Sequence, residues 1–324
     1  MNMRATGVGS MPGEDFTRAV QVVLDALPDL AHLPELPARG PIADLTGRGV
    51  ALVTDLGFDL QPVGWRLTDA AGIDHRRARS LLSQDLDVLE ELAQGYSGQL
   101  KVQIAGPWTL AATVEKPRGD KVLSDLGARR ELAQALAEGV RTHLADVRRR
   151  VPDASLILQL DEPVLPAVLA GAVSTSSGFS RHRSVKPPEA AEALGWVLEA
   201  AGETPTVVHC CAADVPINLL CQAGAGGVSV DLAVLGASAI DELGSALDDG
   251  AQVHLGVVPS TGEQVPTTKA TVERVLRLLD MIGFDPGEVS DRLVLTPSCG
   301  LAGATAAYAV DALRVVHEAA RELG

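Results

Sequence analysis

The chain has 324 residues, enough for one large α/β barrel or two ordinary domains, with a sizeable core in either case. Its formal net charge is −15, so no basic face is available to hold a phosphate backbone, and nucleic acid is excluded as a partner. No run of about 18 apolar residues is present to span a membrane, and the opening MNMRATGVGSMPGEDF lacks the apolar core of a secretory signal, so a soluble cytoplasmic protein is expected.

Taken in order, the chain shows eight short β-rich or apolar runs, at residues 5–10, 31–35, 100–106, 155–161, 206–211, 227–231, 252–258 and 293–298. Most end in Gly, Pro, Ser or an ionisable residue and lead into a helical stretch. The pieces LILQL, TVVH, GVSV, VHLGVV and LVLT show little alternation, which predicts strands covered on both faces of a parallel sheet. Between residues 129 and 150, Leu132, Leu136, Val140, Leu144 and Val147 recur at helical spacing, with Glu131, Glu138, Arg141 and Arg148 on the other side. Residues 272–282 and 306–320 behave likewise. Eight strand–helix alternations without a composition break predict one (β/α)₈ TIM barrel over residues 1–324 rather than a doubly wound sheet. The one interruption is a Gly- and Pro-punctuated excursion at about 37–98, read as an elaborated loop with helices and a candidate lid.

Catalytic groups of such barrels sit at the C-terminal ends of the strands. Here those ends carry Gly9 and Ser10, Glu35, Gly106, Asp161 and Glu162, His209 and Cys211, Asp231, and Ser298 and Cys299. The two-residue spacing of His209 and Cys211 puts both side chains on one face of an extended segment and turns Cys210 to the other. Imidazole nitrogen, thiolate sulfur and carboxylate oxygen all suit zinc, and His209, Cys211, Asp231 and Cys299 could close a tetrahedron from three strands. Taken singly, each cysteine reads as a small core residue and His209 as a hydrogen-bonded core histidine. It is their joint position at one end of the barrel that points to metal. Cys210 and Cys221 read as structural, although a one-residue shift of the strand end would exchange Cys210 for Cys211. The spacing of the four cysteines is not that of a secreted disulfide framework, so these thiols are expected free or metal-bound in a reducing compartment.

The segments VGSMP, AGPWTL, LQLDEPVL, VVHCC, VSVDLA and TPSCGL, in this order, resemble those of the cobalamin-independent methionine synthases, in their C-terminal catalytic barrel. The likeness runs the length of the chain, which is similar to a short, single-domain form without the family's usual N-terminal barrel. The resemblance implies a barrel of the uroporphyrinogen decarboxylase/methionine synthase type, with zinc on His209, Cys211, Asp231 and Cys299. It implies a substrate carboxylate held at Ser10 and its backbone neighbours, Gly9 among them, and an ammonium held by the catalytic Asp161 together with Glu35. The implied reaction moves a methyl group to the thiol of homocysteine, from methyltetrahydrofolate or from methylcobalamin or a corrinoid protein, and gives methionine. Glu162 and Pro163 are expected to shape the turn after Asp161.

Two departures from the family pattern bear on the chemistry. Asp231 stands where the family carries glutamate. Residues 256–261, Gly-Val-Val-Pro-Ser-Thr, stand where the family has Asp-Ile-His-Ser, whose histidine serves the folate leaving group. An amine leaving group needs a proton and a corrinoid does not, so the second departure favours a corrinoid donor. His254 falls within a strand and reads as core. Two alternatives stay open at this level: a diverged zinc- or ligand-binding barrel without methyl transfer, and a methyltransferase for another small thiol. A metal-free porphyrinogen decarboxylase would need clustered cations, and the opening segment offers only Arg4 and Arg18.

Overall fold

The computed structural model describes residues 3–324. Eight parallel strands form one sheet: β1 (Arg4–Ala5), β2 (Leu30–His32), β3 (Gln99–Ala105), β4 (Ser155–Asp161), β5 (Thr206–Cys210), β6 (Gly227–Asp231), β7 (Gln252–Val258) and β8 (Leu293–Pro297). Neighbours follow chain order from β2 round to β8, and β8 pairs with β1. Each strand leads into helix, which is the predicted (β/α)₈ arrangement. Among the described residues no helix is long and apolar enough to cross a membrane.

The ring closes differently from the other seven junctions. The run at 5–10 yields a strand only over Arg4–Ala5, and β1 meets β2 through one parallel bridge, Ser10 to Glu35. There Met11 N donates to Glu35 O at 2.8 Å and Glu35 N to Gly9 O at 3.2 Å. The reason is steric. A Cβ on Gly7 would lie 2.2 Å from the His32 ring, and one on Gly9 2.8 Å from Gln103 Cγ. Side chains from β2 and β3 thus fill the space an ordinary strand would need, and only glycine lets the backbone pass this close. The barrel therefore closes at its C-terminal rim, on two of the residues singled out above.

Along β3, Leu100, Val102 and Ile104 join the core between sheet and helices, while Lys101 and Gln103 bond groups of the barrel interior. The interior has an apolar floor of Leu30, Ile157, Val207 and Val294, separate from the outer core. Above it the buried residues turn polar: His32, Lys101, Gln159, His209, Ser229, His254 and Thr296. Burial on both faces is as expected, whereas the polar inner face is not what the unbroken apolar runs suggested.

Helix Leu126–Arg150 starts three residues ahead of the periodic stretch because Asp125 caps it, accepting from Ala128 N at 3.0 Å. The excursion at 37–98 contains helix Leu45–Leu52, a two-stranded hairpin (Gly57–Gln61 with Gly64–Thr68) and helix Ile73–Leu92. The last of these buries Ala78, Leu82, Leu86 and Leu89 in the core, as a barrel helix does.

Candidate active site

The end of β5 carries the centre of the site. Cys210 is fully buried in the outer core, where burial pushes its thiol up to about 12. His209 turns inward instead, and Cys211 follows just past the strand. Cys299 comes from the turn after β8. A register shift between Thr296 and Pro297 bends that strand end, Ser298 N donates to Val258 O at 2.7 Å, and Ser298 Oγ accepts from Ser260 N at 3.1 Å. These bonds fix the loop that delivers Cys299.

Ligand atoms of His209, Cys211 and Cys299 all lie within 4.8 Å of one another. The two sulfurs are 3.1 Å apart, and Cys299 Sγ is 3.9 Å from His209 Nε2. Zinc bonds of about 2.1–2.3 Å at tetrahedral angles put such atoms roughly 3.5–3.8 Å apart, so the donor set fits that ion and the Cys299–His209 distance lies near that range, while the two sulfurs would have to part by about half an ångström to receive it. His209 Nδ1 lies 3.0 Å from Ser229 Oγ on the neighbouring strand, opposite it in register. A proton on Nδ1 leaves Nε2 free to ligate. The hydrogen bond from Cys211, and then His209, hold the Cys299 thiol down to about 4. The Cys211 thiol is pushed up by the same hydrogen bond and by burial.

Asp231 ends β6, as expected, but its carboxylate is not in this group. Its Oδ1 accepts from Ala233 N at 2.9 Å and so closes the turn after its own strand. Burial raises its pKa, and it feels the charges of Cys299 and His209, so it sits beside the cluster without joining it.

Ser10, Glu35 and Asp161 line a cavity of about 270 Å³ together with His209, Cys211 and Cys299. Ser10 is tied to the Cys299 loop by Leu301 N donating to its carbonyl at 2.7 Å, and a Cβ on Gly300 would lie 2.0 Å from Ser10 Oγ. Glycine at 300 therefore makes room for the hydroxyl. Glu35 is buried, with Arg48 Nε 3.3 Å from its Oε1; Arg48 also holds Asp85 at 2.9 Å, and Arg39 grips Asp85 through two bonds. Burial raises the Glu35 pKa against the pull of Arg48. Burial, with Glu35 adding to it, pushes Asp161 up to about 7 despite the pull of His209 and Lys101. Asp161 Oδ1 accepts from Gln159 Nε2 at 2.7 Å, while Oδ2 makes no hydrogen bond among the described residues. Two carboxyl groups at the wall of one small cavity suit a cation.

Glu162 shapes more than the turn. Its Oε1 accepts from Trp108 N at 2.9 Å, and its Oε2 from Thr109 N and Thr109 Oγ1 at 2.8 Å each, capping helix Pro107–Thr113. Glu162→Ala would leave three buried donors unpaired and is expected to cost about 3–5 kcal/mol of unfolding free energy, read by denaturant titration. A loss under about 1 kcal/mol would contradict the capping role.

Three residues of this region were not singled out by the sequence: Lys101, Gln159 and Ser229. Each occupies an inward strand position inside an apolar run, where one polar residue reads as a break in pattern rather than as a partner. Two-residue steps back from Asp161 and across from His209 could have found Gln159 and Ser229.

The family model described as the cobalamin-independent synthase catalytic domain matches residues 95–322. That span holds Asp161, His209, Cys211, Asp231 and Cys299, and leaves Ser10 and Glu35 outside it. Among solved structures, a B12-independent methionine synthase from Shewanella sp. W3-18-1, in complex with selenomethionine, is similar at 10% identity and a TM-score of 0.64 over 100% of this chain and 98% of that one. At that identity the likeness establishes the fold. A β-galactosidase from the psychrophilic Marinomonas ef1 is similar at 10% identity and a TM-score of 0.46, over 99% of this chain and 59% of that one. No curated protein matches the chain.

Proposed function

The chain belongs to the cobalamin-independent synthase family by its catalytic domain, and from that premise we propose that it is a zinc-dependent methyltransferase that converts homocysteine to methionine, as one cytoplasmic catalytic barrel over residues 1–324. The observation that carries this reading is a single cavity in which Ser10, Glu35 and Asp161 face His209, Cys211 and Cys299. An amino acid that ends in a thiol has those three chemistries at matching ends.

His209 Nε2 and the sulfurs of Cys211 and Cys299 would hold the metal, with Ser229 orienting the imidazole. Zinc, when bound there, keeps an incoming thiol deprotonated at neutral pH. The rest falls to side chains and backbone. The Ser10 hydroxyl and the N–H groups around Gly9 receive the substrate carboxylate, and Asp161 Oδ2, with Glu35, receives its ammonium. A substrate held at both ends has its sulfur lone pair aimed at one point, and in-line displacement then depends mainly on orientation. The sulfur–carbon bond forms as the donor–methyl bond breaks, and the electron pair of the broken bond stays with the donor.

Asp231 is the proposed exchangeable fourth ligand, half-buried beside Cys299 and His209. Because three ligands already gather without it, Asp231→Asn is expected to keep more than about half its zinc, a loss well below the roughly tenfold or more typical of an essential partner. Zinc measured at background in Asp231→Asn would make it an obligatory ligand.

The preferred donor is methylcobalamin or a methyl-corrinoid protein. Residues 256–261 carry no histidine to protonate an amine leaving group, a step that a corrinoid donor does not need. The test offers zinc-loaded protein homocysteine with either methylcobalamin or methyltetrahydropteroylglutamate and follows methionine. Product from the corrinoid alone supports both parts of the reading, product from the folate alone overturns the donor, and none from either overturns the function.

A further inference from the structure

Lys101 is fully buried inside the barrel, yet both acceptors of its ammonium are neutral oxygens: Val8 O at 2.7 Å and Gln159 Oε1 at 2.6 Å. Burying a lysine is costly, and an apolar side chain would fill the same space without that cost. What the lysine touches suggests why it is there. Gln159 Nε2 donates to Val8 O at 2.9 Å and to Asp161 Oδ1 at 2.7 Å, so Lys101, Gln159 and the Val8 carbonyl interlock.

The interlock settles two orientations. An amide can face either way, but Lys101 Nζ, donating to both the Val8 carbonyl and Gln159 Oε1, turns the –NH₂ end of Gln159 toward Asp161. That occupies Asp161 Oδ1 and turns Oδ2 free. The Val8 carbonyl, for its part, lies in the stretch between Ala5 and the Ser10–Glu35 bridge that has no ladder to β2. The bonds from Lys101 and Gln159 hold this stretch where Gly9 and Ser10 follow directly.

We propose that Lys101 is a positioning residue for the amino-acid end of the substrate, bracing at once the backbone that receives the carboxylate and the aspartate that receives the ammonium. The proposal rests on the homocysteine reading above. Lys101 touches neither substrate nor metal ligands, and acts through Gln159 and Val8. Its distance from the thiol end gives the role a signature: losing it weakens the grip on the amino-acid end and leaves the sulfur end alone.

The test compares two thiols on zinc-loaded protein by calorimetry, homocysteine and propanethiol, the second having no amino or carboxylate group. In Lys101→Met the dissociation constant for homocysteine is expected to rise about 10- to 100-fold, while that for propanethiol changes by less than about twofold and zinc content is unaltered. A purely structural lysine would move both thiols together, and that outcome, like an unchanged homocysteine constant, overturns the proposal. Should Lys101→Met fail to fold, Gln159→Glu decides: it keeps an acceptor for Lys101 but takes the donor from Asp161. About tenfold weaker homocysteine binding with propanethiol unaffected is the expected result, and wild-type affinity is the contrary one. Wild-type protein that binds propanethiol but not homocysteine would overturn the functional reading itself, and so be distinguished from a failure of Lys101 alone.

Discussion

Cys299→Ser is expected to purify with less than about a tenth of the zinc of the parent protein, and to lose methyl transfer with it, because altering even an outer partner of a metal site costs about 10- to 100-fold in affinity. The serine hydroxyl is a poor substitute for a thiolate, and of the gathered group only His209 and Cys211 would remain, with the proposed exchangeable Asp231 too weak to complete the site. His209→Ala is expected to behave the same way. Cys210→Ser is the control: its neighbours in sequence on both sides are proposed ligands, but its own side chain is buried on the opposite face of β5 among apolar residues. It should keep its zinc while losing some stability. Zinc retained in Cys299→Ser would remove Cys299 from the ligand set, and zinc lost in Cys210→Ser with the fold intact would mean that β5 presents its other face to the metal.

How far the site could be read from the chain depended on where each residue falls. Residues at strand ends announced themselves because a reactive side chain there follows an apolar run, and the barrel turns eight such positions toward one face. His209, Cys211, Asp161 and Cys299 were singled out in that way and the structure brings them to one cavity, while the roles of Ser10 and Glu35 are proposed ones, implied by the family resemblance. Asp231 met the same criterion, but its carboxylate closes its own turn, a local hydrogen bond that pattern alone does not distinguish from ligation. Lys101 and Gln159 lie within strands, and the residues that make sense of them are brought close only by the barrel: Val8 is 93 residues from Lys101 and 151 from Gln159. Strand length was also hard to see at the start of the chain. Val8, Met11 and their neighbours are apolar enough for a full strand, and it is the His32 and Gln103 side chains, pressed against Gly7 and Gly9, that hold the ladder to two residues.

The other large effect belongs to Asp161. Asn at this position keeps the shape and can still meet Gln159, but it brings no charge to the substrate ammonium. Removing one partner of a buried ion pair costs about 3–5 kcal/mol, which corresponds to homocysteine binding weakened by roughly 150- to 4,000-fold. Propanethiol, which makes no use of the carboxylate, should bind Asp161→Asn as it binds the parent. The wild-type protein carries a second sign of the same group. Burial pushes the free carboxyl up to about 7, so below that pH it is protonated and must release its proton before it can pair with a cation. Affinity for homocysteine should therefore fall as pH drops below about 7 more steeply than thiol deprotonation alone requires, by up to about a further tenfold per unit, with one proton released on binding beyond the proton of the thiol. In Asp161→Asn that additional dependence should vanish. Calorimetry in buffers of different ionisation enthalpy measures both the affinity and the proton count. A wild-type profile no steeper than that of Asp161→Asn over about two pH units below the Asp161 value of about 7 would place the ammonium on some other group.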